Sequence, residues 1–445
     1  MRRRTLTLIV AVAVAAAALV VGVVTAGAQG PSNLPSVTVS QLLQNVATKA
    51  HGTTAISGDV AWTNDLMGGT SLLSLGGNQT PSGLSSLLAG GSGRIWAQNG
   101  KVRLESQGQN GDFIVVGGGG TGTVWTWDSM TGTATRYTLP TASGAGAATP
   151  ASPSPQAGVD PAAAVDRLNQ RLAPDATLSV SGQAAVAGRQ TYTLTLTPTS
   201  PVTSVGSVSV AIDGHRWVPL QVQVFAKGAD TPVITAGFKT VSFAPASTGE
   251  AAKLFTFTPP AGAAIVHKTV KAPGGIGGMS VAPSAAAGKA SALHEPLTLA
   301  QARSRAPFLL TPSSTPAGIG FKGALVTPNS ASALKSTALS ARERARERAV
   351  LAAIAKHPTA VLDYGSGFGT VLVIESKTTA AQDAQIRQQL GRLSTIGRTT
   401  VNGVPATKLQ TSLGSAVTFR QGDVRVIVVG LVPWSDVTQI AGSLK

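Results

Sequence analysis

The chain has 445 residues and no cysteine, which excludes disulfides, thiolate metal sites and a cysteine nucleophile. Its length is sufficient for two or three domains with cores of their own. The formal net charge of +16 favours anionic surfaces such as lipid headgroups, although scattered basic residues can also serve solubility alone.

The N-terminal residues 1–28 have the pattern of a secretory signal. Arg2, Arg3 and Arg4 precede an apolar run from Leu6 to about Val24, and small residues ending at Ala28 follow. The run also just reaches the roughly 20 residues that span a bilayer, so an uncleaved membrane anchor is the alternative to cleavage after Ala28. In both cases we expect the rest of the chain to be extracytoplasmic, secreted or membrane-anchored. This expectation argues against nucleic acid as a partner.

Residues 36–267 are predicted to be mainly β-structure with two helices. Apolar residues at spacings of three and four indicate a helix over 36–50, and Asp160 begins a second helix over 159–174. Alternating apolar and polar residues then predict about ten strands, including a hairpin that turns at Asn99-Gly100. "LFTFTPPAGAAIV", beginning at Leu254, is predicted as the last of these strands.

Tryptophans are prominent in the first of these strands, in a chain that is only 4% aromatic. Trp125 and Trp127 fall on one side of their strand because side chains alternate. These two indoles either fill an ordinary core or line a cavity for a ligand, and the sequence leaves both interpretations open.

The segment 64–92 is a long interruption between two strands, and it carries leucines among glycines and serines. A hairpin loop is usually short and polar, so leucine clusters here indicate either a mobile flap or two short helices that cap the core. The flap leucines are Leu72, Leu73, Leu84, Leu87 and Leu88.

Two segments rich in Pro, Gly, Ala and Ser divide the chain. Residues 140–158 are a low-complexity insertion, and residues 268–296 are a flexible linker between domains. Residues 297–445 then alternate helical and strand patterns, which predicts a small α+β domain. A charged helix over 337–356 is expected to present a solvated face.

No catalytic constellation is evident in the sequence. The five histidines are widely spaced, none forms a metal-binding pair, and "GGGGTG" at 117–122 lacks the ending of a phosphate loop. We therefore expect no catalytic residues, no metal, no cofactor and no enzymatic activity.

The order of the β-segments resembles a known family. "GTTAISGDVAW", "NGKVRL", "VWTWDSMTGTATRY", "VAGRQTYTLTLTP" and "VSVAIDGHRWVPLQVQVF" are similar in order to the LolA/RseB-like lipoprotein-carrier family, and most similar to its secreted actinobacterial members. The C-terminal residues resemble a small bacterial domain of unknown function. The resemblance implies an α+β protein: an unclosed antiparallel β half-barrel with a helical lid over 36–267, followed by the small α+β domain.

The resemblance also implies a function. The chain would be a non-catalytic, extracytoplasmic, carrier-like protein that holds an acyl chain of a lipid or lipoprotein in the concave face of the half-barrel, near the membrane surface. The alternative is an envelope-stress sensor or regulator of a membrane-bound anti-sigma-type protein. The cavity would be lined by Trp62, Trp96, Leu104, Trp125, Trp127, Tyr192 and Leu194. The resemblance thus implies that all four tryptophans face the same way, although tryptophans on a sheet that faces helices can also be ordinary core.

Overall fold

A computed structural model describes residues 34–50, 55–66, 90–108, 111–118, 122–138, 174–269, 296–326, 359–391 and 397–445. These residues are mostly β-strand with few helices. The chain divides into two units, of which the first comprises residues 1–199 and 206–274 and the second comprises residues 200–205 and 275–445.

The first unit contains two described helices and one large sheet. The helices are α1 (Val39–Lys49) and α2 (Thr248–Leu254). The strands are β1 (Ala55–Asn64), β2 (Gly91–Gln98), β3 (Lys101–Gly108), β4 (Gly111–Gly118), β5 (Thr123–Asp128), β6 (Thr133–Thr138), β7 (Ala176–Val186), β8 (Arg189–Pro198), β9 (Val205–Asp213), β10 (Pro219–Ala226), β11 (Pro232–Phe238) and β12 (Ala264–Thr269).

This sheet has twelve strands in the order β12-β6-β5-β4-β3-β2-β1-β11-β10-β9-β8-β7. It is not closed into a barrel, because β12 and β7 lie at its two edges. Most of its neighbouring strands are antiparallel and are joined by hairpins. Among the strand pairs with a defined register, β12 and β6 are the parallel pair. The expected unclosed sheet is therefore present.

Local sequence explains several element boundaries. Thr38 caps α1, and Gln41 completes a capping box by accepting a hydrogen bond from the Thr38 backbone N–H. Asn99 and Gly100 have φ values of 50° and 76°, as a two-residue hairpin turn requires. The predicted helix at 36–50 and the hairpin at Asn99-Gly100 are confirmed.

The strand predicted from Leu254 onward is wrong in its first part. Leu254 ends helix α2, and extended chain then leads to β12, which begins at Ala264. Ser247 and Glu250 form the capping box that starts this helix, so local capping overrides the alternating pattern. The helices predicted over 159–174 and 337–356 lie outside the described residues.

Phe243 and Arg189 define the two faces of the large sheet. Phe243 follows an isolated bridge between Ser57 and Ser242, so it lies in line with β11, beside β1. Its ring centroid lies 5.3 Å from the guanidinium carbon of Arg189 on β8. These two side chains therefore lie on the same face of the sheet, which we call the inner face, and we call its opposite the outer face.

The second unit contains a seven-stranded sheet and three described helices. The helices are α3 (Leu299–Arg305), α4 (Ala380–Gly391) and α5 (Trp434–Gly442), and a 3₁₀ turn spans Gly367–Gly369. The strands are β13 (Phe321–Val326), β14 (Thr359–Tyr364), β15 (Val371–Lys377), β16 (Gly397–Val401), β17 (Val404–Thr411), β18 (Gly414–Gln421) and β19 (Val424–Gly430). The sheet order is β13-β14-β15-β19-β18-β17-β16.

A core of its own supports this second unit. Buried residues of α3 and α5, among them Ala302, Val437 and Ile440, belong to the same core as buried Phe419 of β18. The α+β pattern predicted for this part of the chain is confirmed in its helices at 299–305, 380–391 and 434–442. None of the helices that the structure describes combines the length and apolarity needed to cross a bilayer.

Candidate functional site

The strand registers assign every side chain of the first sheet to one of its two faces. Residues directly opposite each other on paired strands share a face, and neighbours along a strand alternate. On β1, Val60 pairs with Phe238 of β11, and Trp62 pairs with Ala236. On the other side, Leu104 of β3 pairs with Ile95 of β2. These residues all lie on the inner face.

The inner face carries a continuous apolar cluster. Strands that are not adjacent contribute to it, since Val186 of β7 and Ala211 of β9 belong to the same cluster as Val60 and Trp62. Trp62 is 4% exposed, whereas Leu104 is half-buried. Ile56, Ile95, Leu104, Val218, Val241 and Phe243 pack against the buried members. Arg189, which pairs with Val186, lies on the same face with its guanidinium over the Phe243 ring.

The outer face carries a different row of residues. Directly opposed positions on successive strands from β1 to β6, and then β12, place side chains in line across the sheet. The row reads Ser57, Trp96, Arg103, Val116, Trp125, Arg136 and His267. The row thus contains two neighbouring pairs of tryptophan and arginine, and the Arg136 guanidinium lies 5.8 Å from the Trp125 ring centroid.

Residues 244–257, which we call the strap, cross part of this outer face. Gln98 donates to the Ala246 carbonyl at 3.2 Å and accepts from the Ala246 N–H at 2.9 Å. Arg103 donates to the Leu254 carbonyl at 3.0 Å. Phe257 lies against Trp125, with ring centroids 5.6 Å apart. The strap is therefore fixed to side chains of three strands, β2, β3 and β5.

A groove of about 590 Å³ lies between the strap and the ends of β1 and β2. Trp96, Pro245, Leu254 and Phe255 give it apolar walls. Arg94, Lys253 and Glu250 bring charge to its lining. We call it the strap groove.

The structure separates the predicted cavity residues into groups. Trp62 and Leu104 lie on the inner face, but Trp96, Trp125 and Trp127 lie on the outer face. The expectation that all four tryptophans face the same way is therefore wrong. The reason is parity: Trp96 lies opposite Ser57, an odd number of residues from Trp62 on β1.

Tyr192 and Leu194 belong to a third group, beneath α1. Tyr192 is 3% exposed, its hydroxyl donates to the Pro35 carbonyl at 2.8 Å, and its ring stacks on Trp217. Burial raises the pKa of this hydroxyl. Leu194 packs against the same cluster, which includes Leu42 of α1. The five flap leucines lie outside the described residues.

Helix α1 packs on the outer face of the large sheet, against β8 and β9. Ile212 packs in the α1 cluster, whereas Ala211, its neighbour along β9, packs in the inner-face cluster. Because neighbouring side chains alternate, α1 and the inner-face cluster lie on opposite sides of β9.

An ion pair that the sequence analysis missed organises the turn between β9 and β10. Arg189 donates to both oxygens of buried Asp213, at 2.6 and 3.2 Å. Burial acts to raise the pKa of Asp213, but hydrogen bonds from Arg189 and from the backbone N–H groups of Arg216 and His215 outweigh it and lower that pKa. In the sequence, Asp213-Gly214 follows a strongly alternating strand pattern and indicates a turn at this place.

Within the described ranges, no group of three or more His, Asp or Glu residues is arranged to hold a metal ion. The titratable groups of the sheet described above serve the fold: Asp213 fixes a turn, and Glu250 caps α2. What the arrangement offers chemically is apolar surface on the inner face and mixed aromatic and cationic surface on the outer face.

No family model matches the chain, and no curated protein matches it. Among solved structures, it is similar to the Pseudomonas aeruginosa MucA/MucB complex, with 14% identity over 91% of this chain and 98% of that chain, at a TM-score of 0.38. It is also similar to a LolA superfamily protein from Nitrosomonas europaea, with 10% identity over 50% of this chain and 99% of that chain, at a TM-score of 0.20.

A third solved structure is a putative outer membrane lipoprotein-sorting protein domain from Vibrio parahaemolyticus, with 9% identity over 42% of this chain and 73% of that chain, at a TM-score of 0.18. The predicted resemblance to LolA/RseB-like proteins is confirmed, since these are the kinds of protein to which the chain is similar. Likeness at these TM-scores carries no argument about what the chain binds, which has to come from its own geometry.

Proposed function

We propose that this chain is a non-catalytic, extracytoplasmic binding protein that holds an acyl chain of a lipid or lipoprotein against the inner face of the sheet. The observation that carries the proposal is the inner-face cluster. Its apolar members come from strands β1, β7, β9, β10 and β11, and the ion pair of Arg189 and Asp213 lies beside it on the same face. The first unit is then a half-barrel whose concave face is the binding surface.

The physical chemistry of an acyl chain suits such a surface. Methylene groups need no hydrogen-bond partner, and each one buried contributes about 0.8 kcal/mol. A long acyl chain therefore gains on the order of 10 kcal/mol before the entropy cost of ordering it. The sheet is open at β12 and β7, so chains of different length need not fit a closed cavity.

The lid and the role of the N-terminal segment are further parts of this proposal. Helix α1 lies on the outer face, so it cannot be the lid over the inner face that the resemblance implies. The N-terminal segment 1–28 would export the protein or anchor it. Membrane lipid would then be the source of the ligand.

The second candidate is a regulator of a membrane-bound anti-sigma-type protein. The edge strand β12 favours it, because Ile265 is 53% exposed and Val266 is 36% exposed there. An extended segment of a partner could pair with this edge and cover both side chains. In this case lipid would be absent from the purified protein, and a membrane protein would co-purify with it.

Mass spectrometry of organic extracts tests the first candidate. The full chain is expressed with its own leader and purified without added lipid, alongside Leu104→Gln, Ile95→Gln and the control Trp127→Gln. We expect an acyl species at about one per protein in the parent chain and in the control, and its loss from both inner-face variants. An empty parent chain, or loss in the control alone, would contradict the proposal.

A further inference from the structure

The strap groove has the features of a ligand site that the inner face does not use. We propose that it binds a single-chain amphiphile with an anionic head, separately from any acyl chain on the inner face. The β2 side chains Arg94, Trp96 and Gln98 in its lining lie on the outer face, because they alternate with inner-face Ile95. Ile56 and Ala97, which pair with each other at inner-face positions, complete the lining at the end of the sheet. The groove volume of about 590 Å³ falls among typical small-ligand sites, which span about 300–1,000 Å³.

Apolar side chains form both walls of the groove. Trp96 comes from β2, whereas Pro245, Leu254 and Phe255 come from the strap. Trp96 and Phe255 are half-buried, so each keeps exposed ring surface that a ligand could cover. An alkyl tail would find hydrophobic contact on two sides.

Polar groups in the lining, between the two apolar walls, already have hydrogen-bond partners. Both ends of the Gln98 amide are paired with the Ala246 backbone. The backbone of Ser57 is paired in both directions with that of Ser242. These groups therefore need no hydrogen bonds from a ligand, which suits an alkyl tail.

The charged groups of the lining favour an anion. Arg94 lies on the sheet wall over the Trp96 ring, at 5.5 Å, and Lys253 lies on the strap wall. The one carboxylate in the lining is Glu250, which accepts from the Ser247 hydroxyl at 2.7 Å and the Ser247 N–H at 3.0 Å. These hydrogen bonds belong to the cap of α2, and the Glu250 carboxylate also interacts electrostatically with Lys253.

Asp59 is the competitor for Arg94. Their closest atoms are 3.6 Å apart, and the two side chains are 59% and 50% exposed. Such an exposed pair holds weakly and is screened by salt. Arg94 can therefore turn to an incoming anion, and a carboxylate or a phosphate can receive charge-assisted hydrogen bonds from Arg94 and Lys253 together.

Fatty acids and phosphorylated single-chain lipids both combine an alkyl chain with an anionic head. Binding of short-chain probes can distinguish these two classes of ligand. Isothermal titration of the full chain would use decanoate, decyl phosphate, decanol and decyltrimethylammonium. We expect one site for either or both anions, with the tighter anion naming the head group, and at least tenfold weaker binding of the neutral and cationic probes.

Variants locate the site. The double variant Arg94→Gln/Lys253→Gln is expected to weaken the anionic probes roughly tenfold or more, whereas the charge-matched control Lys239→Gln/Arg398→Gln is expected to leave them unchanged. Equal binding by all four probes, or equal loss in the control, would overturn the proposal. Loss of probe binding in Leu104→Gln alone would also overturn it, while leaving the proposed inner-face function intact.

Discussion

At the residue scale, the tryptophans show what alternation can and cannot establish. Trp125 and Trp127 do share a face, as their spacing predicts. The two-residue turn at Asn99-Gly100 also sets Gln98 opposite Lys101. Counting back from this turn puts Trp96 and Leu104 on opposite faces, so this separation was available from the sequence.

The relation of Trp62 to Trp96 was not available in the same way. The connection between β1 and β2 is too long for its length to fix a register, and a shift of one residue exchanges the faces. Buried ion pairs are similarly hard to find in a sequence. Arg189 and Asp213 are 24 residues apart, and only the pairing of β8 with β9 brings them together.

Glu375 is the most unusual titratable residue of the second unit. It is fully buried on β15, and its Oε2 accepts from the Leu310 N–H at 2.8 Å. Burial raises its pKa to about 8, against the opposing effect of the Leu310 hydrogen bond. Its charge, after burial itself, helps to raise the pKa of Tyr364, while Arg303 acts in the other direction.

This carboxyl predicts a pH-dependent stability. Between its unfolded pKa and about pH 8, the folded chain holds a proton that the unfolded chain has released. The free energy of unfolding of the second unit should therefore fall as pH rises through this window, by at most about 1.4 kcal/mol per pH unit from this group. Thermal unfolding of the full chain at several pH values measures the slope.

The variant Glu375→Gln should flatten that slope and raise the melting temperature at about pH 8. Asp423→Asn is the control, since Asp423 is exposed and Lys377 lowers its pKa. The control should keep the downward slope. An unchanged slope in Glu375→Gln would show that this residue does not hold a proton in the folded chain.

At the element scale, the strap is the feature that sequence patterns described least well. The alternation in "LFTFT" predicts a strand, but Leu254 closes a helix and Phe257 reaches back to Trp125. The capping pattern at Ser247 and Glu250 was the local signal for that helix. The contacts with β2, β3 and β5 are long-range and leave no local trace.

The strap should loosen when its side-chain anchors are removed. Gln98→Leu and Arg103→Met together delete the hydrogen bonds to Ala246 and Leu254 while keeping much of the apolar bulk. We expect amide hydrogen exchange over 244–257 to speed up at least tenfold, because these bonds tie the segment to the sheet. Exchange in β8 and β9 serves as the internal control. Equal acceleration there would indicate general destabilisation instead.

At the scale of the whole molecule, the chain consists of two units, each with apolar cores among its described residues. The order of helices and strands was largely predictable, because alternation and helical spacing are local. The faces were not, because they depend on register between distant segments. The domain limits proposed at 36–267 and 297–445, and the linker at 268–296, remain predictions.

The central claim is that the inner face, and not the tryptophan row on the outer face, holds an acyl chain. A photoactivatable, uncharged acyl ester cross-linked to the full chain and mapped by peptide mass spectrometry tests it most directly. The account predicts labels on inner-face residues such as Ile95, Leu104 and Val115, with unlabelled neighbours between them. Labels concentrated on Trp125 and Trp127 would contradict it.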